Sequence, residues 1–222
     1  MRDNCLLIIA GPSAIGKTTV AYSMLERDSK YEFVRSVTTR PSRGDAYDAE
    51  YIYISVDEFR DLIANGGVLE HTEYAGNFYG TPRSEVKRIL SEGKTPLLVL
   101  DINGVESIER TKGDLNPCGV YVYDELNVME QRLYDRFLGD KPSPEGLSKF
   151  MGRKEKNIQD FLAMPEHCDA FFTFIHNDAT ISDATDKVIA AFDAFCLGAE
   201  RDGAAMAEIA ERLSESAKEK VV

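Results

Sequence analysis

The sequence is poor in the residues on which much enzyme chemistry rests. Histidine occurs three times, at His71, His167 and His176, and none stands at metal-ligand spacing from a cysteine, which argues against a histidine-cysteine metal centre. The four cysteines, Cys5, Cys118, Cys168 and Cys196, form no CxxC pair and read as buried or idle thiols of a reducing compartment. Long apolar runs are absent too. The amino-terminal run from Cys5 to Ala10 is too short for a signal-peptide core or a membrane span, so a cytoplasmic protein without a membrane partner is expected. Positive charge is outnumbered: 26 Lys and Arg face 38 Asp and Glu, a formal net charge of -12. Such a surface repels a polyanion as a whole, so nucleic acid is not an expected partner, although a local basic cleft can still attract a small anion. No internal repeat and no obligate protein partner are evident.

What is present is enough apolar material, 43% of 222 residues, to build the core of one enlarged domain without a disulfide or metal staple. Short apolar runs at Cys5 to Ala10, Pro96 to Leu100, Val120 to Tyr123 and Phe171 to Ile175 alternate with helical periodicity. That alternation predicts an α/β fold, a parallel sheet flanked by helices. Residues 35–81 differ in texture, with arginines, tyrosines, glycines and alternating segments such as Tyr51-Ile52-Tyr53-Ile54, and read as an inserted subdomain. Thr81-Pro82 is expected to start a helix, the threonine capping it and the proline taking its first position. The Gly139 to Gly146 segment stops the helix begun at Glu125 and reads as a mobile, exposed excursion. In the tail, Met206, Ile209, Leu213 and Ala217 fall at helical spacing, which predicts a helix packed on the body or fraying in solvent.

Gly11-Pro12-Ser13-Ala14-Ile15-Gly16-Lys17-Thr18 has the GxxxxGK[ST] form of a P-loop. Glycine allows the backbone to bend back so that amide groups face a phosphate, and the start of the following helix adds partial positive charge. Lys17 brings a full charge to the β- and γ-phosphates, Thr18 offers a hydroxyl to Mg2+, and Thr19 continues into the helix. An apolar strand before the loop and an amphipathic helix after it favour this reading. A Rossmann dinucleotide site would need GxGxxG and no lysine.

A second cluster follows. Ser36-Val37-Thr38-Thr39-Arg40-Pro41-Ser42-Arg43 concentrates hydroxyls and two guanidinium groups, a set suited to clamping another phosphate. Tyr51, Glu70 and Asn77-Phe78-Tyr79-Gly80-Thr81 add further donors and acceptors. Asp101, ending an apolar strand, can orient Mg2+ through water as a Walker B residue does, or cap the helix that follows.

These runs, together with Leu69-Glu70 and Leu100-Asp101-Ile102-Asn103-Gly104, resemble the guanylate kinases from Leu6 to about Asp178. The resemblance implies a P-loop kinase core at residues 1–34, 82–135 and 165–198, a GMP-binding insert at 35–81, a lid at 136–164 and an added tail at 199–222. It implies that Ser36, Arg40, Arg43, Tyr51 and Tyr79 hold the phosphate of GMP, and that Glu70, Thr81 and Asp101 read its base. Arg136 and Arg153 would close over the triphosphate and act with Lys17 and Arg43 in catalysis, while Asn177 and Asp178 would contact the adenine side of ATP. Arg132, Lys154 and Lys156 match no catalytic position and read as surface salt bridges.

The implied reaction is Mg2+-dependent transfer of the γ-phosphoryl group of ATP to GMP or dGMP. Three features depart from the family pattern: a longer 136–153 segment without its Arg-Gly-Thr-Glu style sequence, Asn103 in place of glutamine, and a shorter stretch from Gly44 to Glu50. Two alternatives share the motifs. One is an inactive guanylate-kinase-like binding module, disfavoured by the intact Lys17 and Thr18; the other is a P-loop kinase of another small phosphate acceptor, disfavoured by Glu70, Thr81 and Asp101.

Overall fold

The structure is a computed structural model and describes residues 2–42, 44, 49–74, 76–139 and 142–221. The central sheet is parallel, in the order β2-β7-β1-β8-β9, built from β1 (Cys5–Ala10), β2 (Tyr31–Phe33), β7 (Thr95–Val99), β8 (Asn116–Tyr123) and β9 (Thr173–His176). β1 lies in the middle, between β7 and β8. Covered on both faces, it reads as an unbroken apolar run, and Leu6, Leu7, Ile8, Ile9 and Ala10 are fully buried. The four apolar runs of the sequence fall on β1, β7, β8 and β9. β2 escapes notice because a three-residue strand, Tyr-Glu-Phe, is too short to show a period.

Parallel strands must be joined by crossovers, and helices supply them: α1 (Lys17–Arg27), α3 (Arg83–Ser91), α4 (Ile102–Thr111), α5 (Leu126–Phe137) and α6 (Pro144–His167), with α7 (Ile181–Cys196) following the last strand. The chain leaves β1 for β2 and β7 on one side and for β8 and β9 on the other. A crevice therefore opens at the carboxyl ends of the strands, the place where such sheets bind ligands. The residues following β1, β7, β8 and β9 are Gly11, Leu100-Asp101, Asp124 and Asn177, so the topology alone delivers them to one edge.

A second sheet, in the order β4-β3-β6-β5, comprises β3 (Ser36–Thr38), β4 (Tyr51–Tyr53), β5 (Val68–Tyr74) and β6 (Asn77–Pro82) and carries α2 (Val56–Ala64). It has its own small core around Val37, Phe59 and Val68. The helix expected after Thr81 is α3, but Thr81 does not cap it. Thr81 and Pro82 belong to β6, no side chain caps α3, and the amide of Arg83 instead donates to the Gly67 carbonyl at 2.9 Å. The threonine hydroxyl is committed elsewhere, to Glu70.

α5 and α6 meet through a close reversal. A Cβ on Gly146 would lie 2.3 Å from the Phe137 carbonyl oxygen, so only glycine permits the approach. Leu138, at the end of α5, is buried with Leu133 and Phe150, while Pro142, Ser143, Pro144 and Glu145 are exposed. The tail forms α8 (Gly203–Lys218), with Met206, Ala210, Leu213 and Ala217 buried. It lies along α6 in the main core, so it is a packed helix, with Ala210 rather than Ile209 among its buried positions.

No helix among the described residues is long and apolar enough to cross a membrane. Leu213→Ala should cost about 2–5 kcal/mol of folding stability through the cavity it leaves, read from urea denaturation; a loss below about 0.5 kcal/mol, typical of a surface position, would mean that α8 is not part of the core.

Candidate active site

The phosphate-binding loop is fixed by backbone geometry. Gly11 has φ 147°, and a Cβ there would sit 2.1 Å from the Val122 carbonyl oxygen, so the close approach of the loop to β8 requires glycine. Ala14 (φ 66°) and Gly16 (φ 96°) are also left-handed, an alternation that gathers backbone amides into a concavity suited to an anion. Lys17 opens α1 and folds back over the loop: its Nζ donates to the carbonyls of Gly11 at 2.6 Å and Pro12 at 2.8 Å. Burial lowers its pKa to about 8; Asp160 and Asp101 work against that shift, and Arg153 adds to it by repulsion.

Two buried asparagines hold the loop from behind. Asn177 Nδ2 donates to the Ile15 carbonyl at 2.8 Å. Its side chain is 3% exposed, so it supports the loop, while the exposed Asp178 pairs with Lys187 at 3.3 Å and His176 at 3.5 Å. Asn157, absent from the sequence-derived site, accepts from the Ser13 amide at 2.7 Å and donates to the Ser13 carbonyl at 3.1 Å. One sequence signal could have found it. With Ile158, Phe161 and Met164 it occupies the buried face of α6, where an amide needs a specific partner. Asp160 shares that face, pairs with Lys156 at 2.8 Å and is pushed above the usual carboxylate range, chiefly by burial.

A cavity of about 400 Å³ opens on the loop, bringing Lys17 and Thr18 together with Arg132, Arg136 and Arg153. Arg136 is exposed and lies over the Phe137 ring at 5.4 Å. Arg132 forms the expected salt bridge, but its partner is not a surface group: it donates to Asp124 at 3.0 Å, and Asp124 is 4% exposed. The pair anchors the guanidinium at the rim of the cavity, so Arg132 joins the candidate site. Lys154 pairs with Glu130 at 2.6 Å.

On the other side of Thr18 lies a cavity of about 230 Å³, with Ser36, Glu50 and Tyr51 in its lining. Ser36 and Tyr51 are register partners in β3 and β4, and Tyr79 meets Tyr51 edge-on at 6.1 Å. Arg40 is buried, its guanidinium over the rings of Tyr51 at 5.2 Å and Tyr53 at 5.7 Å, which presets its plane. Arg43 lies outside the described residues. Thr81, fully buried, donates to Glu70 at 2.6 Å, and burial raises the pKa of that carboxyl. Asp101 caps α4, accepting from the Gly104 amide at 2.9 Å. It also acts electrostatically on both Lys17 and Glu70, so it stands between the two halves.

Among the described residues no group of three or more His, Cys, Asp or Glu is placed to hold a metal by itself. Mg2+ does not need one, because it dehydrates reluctantly and is usually held by one or two protein oxygens together with phosphates and water. Thr18, exposed and lining both cavities, and Asp101, close enough to act on Lys17, fit that donor set.

The lowered pKa of Lys17 has a definite sign. The unfolded chain holds more protons than the ligand-free fold between about pH 8 and its ordinary value of 10.5, so stability rises with pH in that window. A bound triphosphate reverses the shift. Binding of a non-hydrolysable triphosphate analogue near pH ~8.5 should therefore take up a proton, measured calorimetrically in two buffers of different ionisation enthalpy, and Lys17→Met should abolish the uptake. Equal uptake by the variant would assign the proton to another group.

The guanylate kinase family model matches residues 3–194. The guanylate kinase of Lactobacillus acidophilus is 32% identical over 194 residues, covering 85% of this chain and 88% of its own length. That of Lactococcus lactis subsp. lactis is 37% identical over 172 residues, 75% of this chain and 79% of its own. The crystal structure of guanylate kinase from Anaplasma phagocytophilum superposes with a TM-score of 0.60 at 23% identity, covering 90% of each chain, which supports the fold. With the P-loop, the second cavity and the arginine-lined rim already in place, the match over nearly the whole core settles the assignment: the chain belongs to the guanylate kinase family of nucleoside monophosphate kinases.

Proposed function

We propose that this protein transfers the γ-phosphoryl group of ATP to GMP, and less readily to dGMP, giving ADP and GDP. The observation that carries the reading is the pairing of two cavities on either side of Thr18, one lined by Lys17 and three arginines and the other leading to Ser36 and Tyr51. A donor and an acceptor phosphate bound there meet at the P-loop. Residues 35–81 form the GMP-binding insert, 136–164 the lid, and 199–222 a helical tail on the remaining core.

The acceptor side is built for a guanine nucleotide. Ser36, Arg40, Tyr51 and Tyr79, with Arg43, hold the phosphate. Glu70 and Thr81 read the base: guanine offers N1-H and its 2-amino group to the carboxylate, which frees the Thr81 hydroxyl from its bond to Glu70 to donate to O6. Adenine lacks that donor pair at N1 and C2, so the Glu70 carboxylate would be desolvated with only the Thr81 hydroxyl as donor, a penalty large enough to discriminate strongly. Asp101 assists from the Lys17 side while capping α4.

Phosphoryl transfer to a phosphate needs no general base, because the attacking oxygen is already ionised. The scarcity of histidine is thus no obstacle. Lys17, Arg136, Arg153 and Arg43 neutralise and align the transferred group, with Arg132 held beside them by Asp124. Mg2+, held by Thr18 and by Asp101 through water, would offset charge on the β- and γ-phosphates. Closure of the exposed part of the lid, up to Lys156, excludes water that would otherwise accept the phosphoryl group; residues 157–164 are anchored in the core.

In a coupled assay of ADP release, GMP should be the best acceptor, dGMP slower, and AMP, CMP and UMP poor; equal rates with AMP would overturn the specificity. Lys17→Ala should remove most turnover without unfolding the protein. Glu70→Ala should raise KM for GMP by about 100-fold or more, as loss of a matched polar contact does, and leave KM for ATP within about twofold; equal losses for both nucleotides would make Glu70 structural.

A further inference from the structure

The long helix α6 is not uniform. From Pro144 to Lys156 it buries only Gly146 and Phe150 and exposes Leu147 and Met151 by 50% and 55%. From Asn157 onward it is embedded: Asn157, Ile158, Asp160, Phe161 and Met164 are all buried, and α8 packs along it, with Ser214 donating to the Leu162 carbonyl at 3.4 Å. The change falls at Asn157, the residue that grips both backbone groups of Ser13. The next residue, Ala14, holds a left-handed backbone and packs on the cluster formed by Leu133, Leu138 and Phe150. The cluster that includes Phe150 of the exposed half of α6 therefore meets the P-loop at Ala14, while Asn157 grips it at Ser13.

We propose that Asn157 is a positioning residue for phosphoryl transfer: it locks the Ser13-Ala14 segment of the P-loop to the anchored half of α6, so that the exposed half, carrying Arg153, pivots about a point fixed to the loop. The inference rests on the phosphate-donor role given above to the cavity beside Lys17. The physics favours a specific task for this amide. A side chain 2% exposed must satisfy both its donor and its acceptor, and it does so on a single residue of the loop. Removing it leaves the Ser13 amide and carbonyl without those partners and leaves Ala14 free to relax from a conformation that costs an alanine energy. The loop would then spend less time in the shape that cradles a phosphate.

The test separates positioning from bulk stability. Wild-type protein is assayed first with ATP and GMP, and turnover there establishes the donor role independently of what Asn157 does. Asn157→Ala should then raise KM for ATP and lower kcat by about tenfold or more each, the scale of loss that misplacement of reacting groups produces, while KM for GMP changes by less than about twofold. Hydrogen exchange at the Ser13 amide should speed up in the variant while the β1 amides stay protected. Asn157→Asp keeps the acceptor for the Ser13 amide and should restore that protection but not the KM for ATP, since it loses the donor to the Ser13 carbonyl and sets a carboxylate against that oxygen. A variant with a lowered Tm but unchanged KM and kcat, or with equal loss for both nucleotides, would overturn the inference, as would unchanged Ser13 exchange in Asn157→Ala.

Discussion

Everything at the carboxyl edge of the sheet is arranged around one costly feature, the ammonium group of Lys17 held partly out of water. Burial drives its pKa down to about 8, so the fold around it stabilises the charged form poorly. The neighbourhood adds to the strain: Arg132, Arg136 and Arg153 line the same cavity, in a chain whose net charge is -12. Such a concentration of cations is tolerable because Asp101 and Asp160 act on Lys17 and Asp124 holds Arg132. It becomes favourable when a polyphosphate enters. The energy withheld from the ligand-free fold is then available for binding and for stabilising charge in the transition state.

The acceptor side uses a different strategy. Arg40 is not left to find its partner. It is buried and laid over two tyrosine rings, so its guanidinium is held in place before any anion arrives. Glu70 is partly desolvated and joined to Thr81 by a short hydrogen bond, an arrangement suited to the base-reading role proposed above. Asp101 connects the two strategies. Its carboxylate acts on Lys17 on one side and on Glu70 on the other, and its grip on the first turn of α4 keeps it at the junction. A cap and a site residue are here the same side chain, because a loop at the end of a parallel strand is both the start of a helix and the floor of the crevice.

What the sequence made legible follows the same physics. The buried strands stood out as continuous apolar runs because both of their faces are covered, and the P-loop because its constraints are local: each glycine answers to a backbone conformation a few residues away. The three-residue β2 and the true start of α3 were not legible. In the second case a threonine followed by proline satisfies every local rule for a helix start, but the hydroxyl of Thr81 is drawn to Glu70, eleven residues earlier in the chain and opposite it in space. Arg132 was assigned to the surface because a charge pair in sequence carries no sign of depth. Asn157 was missed for a related reason. Its place on the apolar face of α6 marks it as buried, but its partner, Ser13, lies 144 residues away in the chain, and nothing in the sequence names that contact.

Asn177 shows how far a motif can be trusted. Its place after the last strand made it a candidate for contact with the nucleotide, yet the topology that brings it to the crevice brings it first to the back of the P-loop, where the Ile15 carbonyl takes its amide. A side chain buried to this extent has one geometry available, and that geometry is spent on holding the loop. Asn157 reaches the same loop from α6. Two amides, one on α6 and one just after β9, thus hold Ser13 and Ile15, on either side of the left-handed Ala14. A loop that must turn its own amides toward an anion cannot also pair them all with itself, so its rigidity has to come from elsewhere in the fold. In this protein β9 and α6 supply it. The added helix α8 serves the same end at one remove, since by covering the apolar face of α6 it keeps the second of those supports in place.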